Sequence, residues 1–297
     1  MSAGIRRAQP WLGTLVDIAA SGESVAQAVN QAFEAVAMVH RLMSYHDPDS
    51  DVSRINREAA LAPVTVHPWT WQVLAAAREF SAQSGGLFDI TVAPLLARLG
   101  YLPRHADFPR ASGQGDWRHV ELLSAHRVRL ARRVRIDLGG IAKGFAVDRA
   151  LDVLREHGVS SARVNAGGDL RLFGPNWQPL NVRHPAAPTR LLHVTDLRAG
   201  AAATSAGYFA AQRVHGRCVT PHIHPLRRQA LAPGSSVTVL APDCITADAL
   251  TKIVLADREA ARRLLPRFEA RALLLERDDH SGAWQLYELG CQEACRV

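Results

Sequence analysis

The stretch Val134-Arg-Ile-Asp-Leu-Gly-Gly-Ile-Ala-Lys-Gly144 decides how the rest of the chain is read. Residues 134–136 have the character of a strand, Gly139-Gly140 that of a turn, and residues 141–157 that of a helix. Val147, Ala150, Leu151 and Leu154 give the helix its buried stripe, and Gly158 ends it. Asp137 puts a carboxylate at the strand's end, the glycines let backbone approach a ligand, and the helix N-terminus supplies oriented N–H groups. That arrangement suits a phosphate or a diphosphate, and Lys143 in the first turn can neutralise the same anion. The pattern is neither G-x-G-x-x-G nor a Walker loop. On spacing alone, an ordinary strand–turn–helix connection explains it as well.

Outward from this segment, helices and strands mix without strict alternation. Upstream, Trp11-Leu-Gly-Thr-Leu-Val-Asp-Ile18 reads as a core strand. Residues 24–43 place Val25, Val29, Ala32, Phe33, Val36, Val39 and Met43 on one helical face. A polar loop, His46-Asp-Pro-Asp-Ser-Asp51, follows. Pro68 opens a second helix through Val73, Leu74, Ala77 and Phe80, stopped by Gly85-Gly86. Residues 100–118 read as irregular, and 127–135 alternate basic and apolar side chains as a strand face does. Downstream, strands are expected at 161–165, 170–173, 180–183, 191–196 and 236–240, then a helix at 247–256 and a short one from Asp257. Residues 271–276 and 284–289 pair as a hairpin around Asp278-Asp-His-Ser-Gly282. With no repeat and no clear linker, the expectation is α+β, a single compact domain over residues 1–297.

The chain has 297 residues, 47% hydrophobic and 21% charged, the balance of an ordinary globular protein. No stretch approaches the roughly 20 apolar residues of a membrane span. Arg6-Arg7 is followed by no apolar segment of a signal peptide, so the cytoplasm is expected, or the periplasm if an export segment was removed. The net charge of +7 invites a nucleic-acid reading, but the arginines are scattered and no recognition motif appears. A basic surface equally suits a small polyanion such as a dinucleotide. Cys218, Cys244, Cys291 and Cys295 fit no zinc or redox spacing and are read as free thiols, Cys291 and Cys295 lying close in a short C-terminal turn.

Three further segments have chemical potential. Val164-Asn-Ala-Gly-Gly-Asp169 runs a strand end into a glycine pair. Ser84-Gly-Gly-Leu-Phe-Asp-Ile-Thr-Val92 is, on its residues alone, a helix stop followed by a half-buried strand. Asp248 and Thr251 stand three apart on one helical face, where two oxygen donors suit Mg²⁺. Asp248 is equally well placed to pair with Lys252 at i+4.

Taken together these segments resemble the ApbE-type FAD:protein FMN transferases. Leu12-Gly-Thr14, residues 44–56 (SYHDPDSDVSRIN), Gly86-Leu-Phe-Asp89, the run from Asp137 to Gly144, Asn165 to Asp169 and Ala247-Asp-Ala249 occur in that family's order, over about residues 11–256. The resemblance implies a compact α+β fold. It implies flavin contacts at Leu12, where the family has methionine, at His46, where it has tyrosine and where Tyr45 is adjacent, and at Ile223. It implies FAD contacts at Leu87, Phe88, Asp89, Asp137 and Lys143. It implies Mg²⁺ held by Asp248, Thr251 and the Gly140 carbonyl. Two positions depart from the family. Lys252 stands where many relatives carry a threonine ligand, and the loop His222-Ile-His-Pro-Leu-Arg-Arg228 lacks the family's aspartate and closing glycine.

The activity implied is Mg²⁺-dependent transfer of FMN from FAD to a threonine or serine hydroxyl of an acceptor flavoprotein, with AMP as the other product. Mg²⁺, held by Asp248, would act as Lewis acid, Lys143 would stabilise charge as AMP leaves, and His222 would take the hydroxyl proton. The alternatives are an FAD pyrophosphatase that uses water at the same site, a non-catalytic FAD-binding protein and, more remotely, a nucleic-acid-binding protein.

Overall fold

The computed structural model describes residues 4–111, 115–214, 216–278 and 282–290. An eight-stranded antiparallel sheet forms the backbone of the fold. Its strands run, edge to edge, Gly4–Trp11, Thr14–Ser21, Ser161–Ala166, Asp169–Phe173, Gly200–Ala206, Ser235–Ala241, Arg271–Arg277 and Trp284–Leu289. The helices are α1 (Val25–Met43), α2 (Asp51–Glu58), α3 (Pro68–Gln83), α4 (Ala93–Arg98), α5 (Ala142–Glu156), α6 (Cys244–Ala256) and α7 (Arg258–Leu264). The result is the expected α+β architecture. A small three-stranded sheet, Val64–Thr65, Arg127–Leu130 and Val120–Leu123, packs beside α2 and α3. Within it Val128 and Leu130 point inward and Arg127 and Arg129 outward.

Two large apolar clusters make up most of the interior, and α5 belongs to both. Its first half contributes Ala142, Phe145 and Ala146 to the larger cluster, with Phe88, Ile136 and most of α6. Its second half contributes Val147, Ala150, Leu151 and Leu154 to the other, with Val16, Ile18 and the buried face of α1. The sequence stripe along this helix is therefore real, and its two halves face different partners.

Several expectations are corrected. The run 11–18 is two strands, not one: Leu12 (φ 57) and Gly13 (φ 72) take left-handed conformations and turn the chain into a tight hairpin. The preceding strand Gly4–Trp11 is mostly exposed, so it has no apolar alternation to announce it. Residues 134–136 are extended but join no sheet. The Asn56 side chain takes over the ladder's role, with Oδ1 accepting from the Ile136 N–H at 2.8 Å and Nδ2 donating to the Ile136 carbonyl at 2.9 Å. The expected strand arm after Gly86 is instead a short 3-10 turn, Ile90–Val92, capped by Asp89. Helix α2 begins at the end of the expected polar loop, where the Ser50 hydroxyl caps it by accepting from the Ser53 N–H. The central strand Gly200–Ala206 has no counterpart among the expected elements. Its Gly-Ala-Ala-Ala-Thr-Ser-Ala sequence has little β propensity, and its alanines are buried by close packing between neighbouring strands. The C-terminal hairpin forms as expected. Cys218 and Cys244 are free thiols, and Cys291 and Cys295 lie outside the described residues. Among the described residues no helix is long and apolar enough to cross a membrane.

Candidate active site

The site begins where α5 crosses the start of α6. A Cβ on Gly144 would lie 2.3 Å from the Cys244 carbonyl oxygen, so only glycine allows the two helices this close. One turn further along α5, Asp148 accepts from the Cys244 and Ile245 N–H groups, each at 2.9 Å, and so caps α6 from outside. Arg171 pairs with the same carboxylate at 2.9 Å. Burial raises the Asp148 carboxyl to about 6, against the opposing pull of Arg171 and the two N–H donors. This joint fixes Lys143, near the beginning of α5, against Asp248, one turn into α6.

Four charged side chains meet there. Asp248 is fully buried. Its Oδ2 accepts from the Gly144 N–H at 3.1 Å and lies 3.6 Å from Lys143 Nζ, while its Oδ1 is ion-paired to Lys252. Lys143 also pairs with Asp169, which is 2% exposed. Asp169 starts its strand just after Gly167 and Gly168, at φ 63 and 108, a turn that only glycine makes easily. A Cβ on Gly167 would sit 2.5 Å from Thr14 Oγ1, so the Leu12-Gly13-Thr14 turn presses directly on this glycine pair. Burial alone would drive the Asp248 carboxyl up, but Lys143, Lys252 and the Gly144 N–H outweigh it and hold it below the ordinary value. Asp169 is raised, by burial and then by the negative charge of Asp248. Burial also works against the Lys143 ammonium, yet Asp169 and Asp248 more than compensate and hold it firmly charged.

His222 stands at the same cluster. Its imidazole is lowered to about 4, first by burial, then by the positive charge of Lys252, with Lys143 adding to it. It is therefore a neutral base at pH 7. An imidazole that titrates near neutrality, expected from the sequence, is not what these surroundings allow. Its neighbour Ile223 packs with Leu95 and Leu96, away from the charged groups.

The other expected contacts lie around the same turn. Phe88 is buried, its ring edge facing Phe80, and its Cε2 would meet a Cβ on Gly140 at 3.8 Å; Leu87 is buried beside it in the larger cluster. Asp89 is committed to structure: it accepts from the Thr91 N–H and hydroxyl at 2.7 and 2.8 Å and from the Trp117 N–H at 3.2 Å. Asp137 curls back over Gly139, with Oδ2 3.0 Å from where that residue's Cβ would be. Burial raises its carboxyl against the pull of the Gly139 N–H and of nearby His46. His46 is exposed, whereas Tyr45 is buried against His105 and Phe108. Leu12 is half-buried at the tip of the first hairpin. The sequence does not mark out Asp169, Ser205 or Asp148 as site residues. Asp169 lies in a recognised motif, but nothing local to it indicates a pairing with a lysine 26 positions earlier.

Two of the three donors that the resemblance assigns to Mg²⁺, the Asp248 carboxylate and the Thr251 hydroxyl, are already engaged. Both Asp248 carboxylate oxygens have cationic or N–H partners. The Thr251 hydroxyl donates to the Asp248 carbonyl at 2.7 Å and shares a 2.7 Å hydrogen bond with Ser205 Oγ. Among the described residues no group of three or more His, Cys, Asp or Glu side chains is arranged to hold a metal ion. These side chains do not fit a divalent cation.

Comparison with known proteins places this geometry in context. A Treponema pallidum FAD:protein FMN transferase is 30% identical over 185 residues, 57% of this chain and 51% of that protein, so the match spans about half its length. A Vibrio cholerae protein of the same name is 27% identical over 231 residues, 71% of this chain and 68% of that one. The crystal structure of an ApbE protein from Thermotoga maritima superposes with a TM-score of 0.83 at 27% identity, covering 95% of this chain and 96% of that one. A flavin transferase ApbE from Vibrio cholerae, at 22% identity and a TM-score of 0.80, shares the fold and covers 97% of this chain and 98% of that one. The family model matches residues 12–274. Its span takes in the turn and second strand of the first hairpin, the α5–α6 joint and the whole charged cluster, and the chain belongs to the ApbE family.

Proposed function

We propose that this protein transfers FMN from FAD to a threonine or serine hydroxyl of an acceptor protein and releases AMP. The observation that carries the reading is the pair of ammonium groups, Lys143 and Lys252, set over the Asp169 and Asp248 carboxylates beside a neutral His222. The relatives named FAD:protein FMN transferases support the choice of substrate.

The residues present account for the chemistry as follows. The FAD diphosphate, with its two negative charges, lies against the two ammonium groups. The acceptor hydroxyl oxygen attacks the FMN phosphorus, its proton passes to the His222 imidazole, and the bond from that phosphorus to the bridging oxygen breaks with its electron pair going to AMP. Lys143 and Lys252 stabilise the charge that develops on the phosphoryl oxygens and on the leaving phosphate. An imidazole made a weak base first by burial and then by two ammonium groups regains part of its basicity once the diphosphate offsets their charge, so substrate binding itself helps to ready His222. Of the donors that the resemblance assigns to Mg²⁺, the Asp248 carboxylate and the Thr251 hydroxyl are both taken up by protein partners in this arrangement.

The test is incubation of the purified protein with FAD and a flavin-acceptor domain, followed by intact-mass and nucleotide analysis. One FMN added per acceptor, with AMP in equal amount, is the expected result. Free FMN and AMP without adduct would make the protein a pyrophosphatase, and neither product would sink the reading.

A further inference from the structure

We infer that the ammonium of Lys252 occupies the place of a divalent cation, so that the protein holds the FAD diphosphate and transfers FMN without metal. The inference rests on the function proposed above and concerns the same site. Three independent features point to it. Lys252 Nζ takes two oxygens of Asp248 at once, the carboxylate Oδ1 and the backbone carbonyl at 3.0 Å. Its stem runs over Gly140, with Cε 3.6 Å from where a Cβ would stand, so the side chain reaches across from Gly140 to Asp248, two of the positions that the resemblance assigns to Mg²⁺. The neighbouring hydroxyl, Thr251, is turned inward to Ser205 and the Asp248 carbonyl.

Charge leads to the same conclusion. Two carboxylates, Asp169 and Asp248, are matched by two ammonium groups, so the cluster is neutral before any ligand arrives. A divalent ion entering it would meet two like charges and no free carboxylate. The diphosphate, in contrast, meets two cations whose side chains are partly exposed, Lys252 at 20% and Lys143 at 29%, while the two carboxylates beneath them are buried. A lysine at this position therefore supplies as a fixed point charge what a mobile ion would otherwise supply.

The test has two arms on the full-length protein. In the first, Mn²⁺ alone is titrated into apo protein and the free-ion EPR signal is followed. Wild type is expected to leave the signal unchanged, and Lys252→Thr to gain one site per chain. Stoichiometric Mn²⁺ binding by wild type, or a folded Lys252→Thr with no new site, overturns the inference. If Lys252→Thr does not fold, the wild-type titration still decides.

In the second arm, FAD affinity and flavinylation are measured in EDTA and in Mg²⁺. Wild type is expected to bind and transfer equally in both, and Lys252→Met to bind FAD roughly 10- to 100-fold more weakly, the loss of one charge-assisted contact. Transfer that appears only with Mg²⁺ overturns the inference and leaves the proposed function standing. No transfer in either buffer refutes the function, and the Mn²⁺ titration then decides by itself whether Lys252 stands in for the cation.

Discussion

Asp248 holds two ammonium groups from a fully buried position, and its replacement separates structure from ligand. Asp248→Asn leaves Lys143 with Asp169 but takes the charge from beneath Lys252. Breaking a buried pair in this way costs about 3–5 kcal/mol, so the urea midpoint of the apo protein should fall clearly. The FAD diphosphate can replace the lost negative charge, and saturating FAD should restore part of the difference. A midpoint that does not move would mean that water already screens the pair. His222 gives a prediction of opposite character. Its folded value of about 4 lies below the ordinary 6.5, so between those limits the folded protein binds fewer protons than the unfolded chain. The stability associated with the neutral imidazole is whole above about pH 6.5 and is lost as pH falls toward 4. His222→Gln should flatten that part of the acid limb of a thermal melt, and an unchanged slope would show the ring to be freely hydrated. At this scale the sequence displayed Asp137, Lys143, Asp248 and His222, because each lies in or beside a short motif. It did not display that Asp89 is consumed by capping, or that Lys143 reaches Asp169, since both depend on where distant backbone passes.

Helices α5 and α6 make one joint, and its tolerance is set by Gly144. A methyl group there would meet the Cys244 carbonyl oxygen at 2.3 Å, which is backbone and cannot rotate away. Gly144→Ala must therefore push α6 outward, strain the Asp148 cap and move Asp248 away from Lys143. The expected loss is about 1–3 kcal/mol of stability and a disproportionate loss of FMN transfer, because a displacement on the order of 1 Å in a positioned group costs about 100-fold. Urea unfolding beside a flavinylation assay separates the two effects, and a variant with reduced stability but full transfer would disconnect the joint from the site. Elements with strong periodicity, α1, α3, α5 and the C-terminal hairpin, were legible because apolar spacing alone marks the face that each one buries. The strand Gly200–Ala206 and the first hairpin were not. Small alanines are buried by what surrounds them rather than by their own preference, and the Leu12-Gly13 turn lies within a run that reads as continuous. Residues 134–136 look like a strand because apolar Val134 and Ile136 alternate with Arg135, and only Asn56, 80 positions away, shows how the Ile136 backbone is satisfied without a neighbouring strand.

The charged cluster sits where elements from both large apolar clusters meet. Lys143 and Asp248 come from helices packed in the larger cluster, Asp169 comes from the sheet, whose strands line both clusters, and α5 is rooted in both. Binding a diphosphate across Lys143 and Lys252 therefore opposes any opening of α5 from α6, and local loosening of the site becomes linked to global unfolding. A ligand at 100 times its dissociation constant stabilises the folded state by about 2.7 kcal/mol, and in domains approaching this size each kcal/mol raises Tm by about 2–4 °C. Saturating FAD should then raise Tm by roughly 5–10 °C when unfolding is followed by circular dichroism. FMN at the same concentration carries one phosphate and no adenylate, so it reaches both ammonium groups less effectively and should shift Tm by clearly less. ADP, which keeps the diphosphate without the flavin, should fall between them. If FMN and FAD shift the melt equally while ADP does nothing, the protein grips the isoalloxazine and not the diphosphate. The two lysines would then be no more than counter-ions of Asp169 and Asp248.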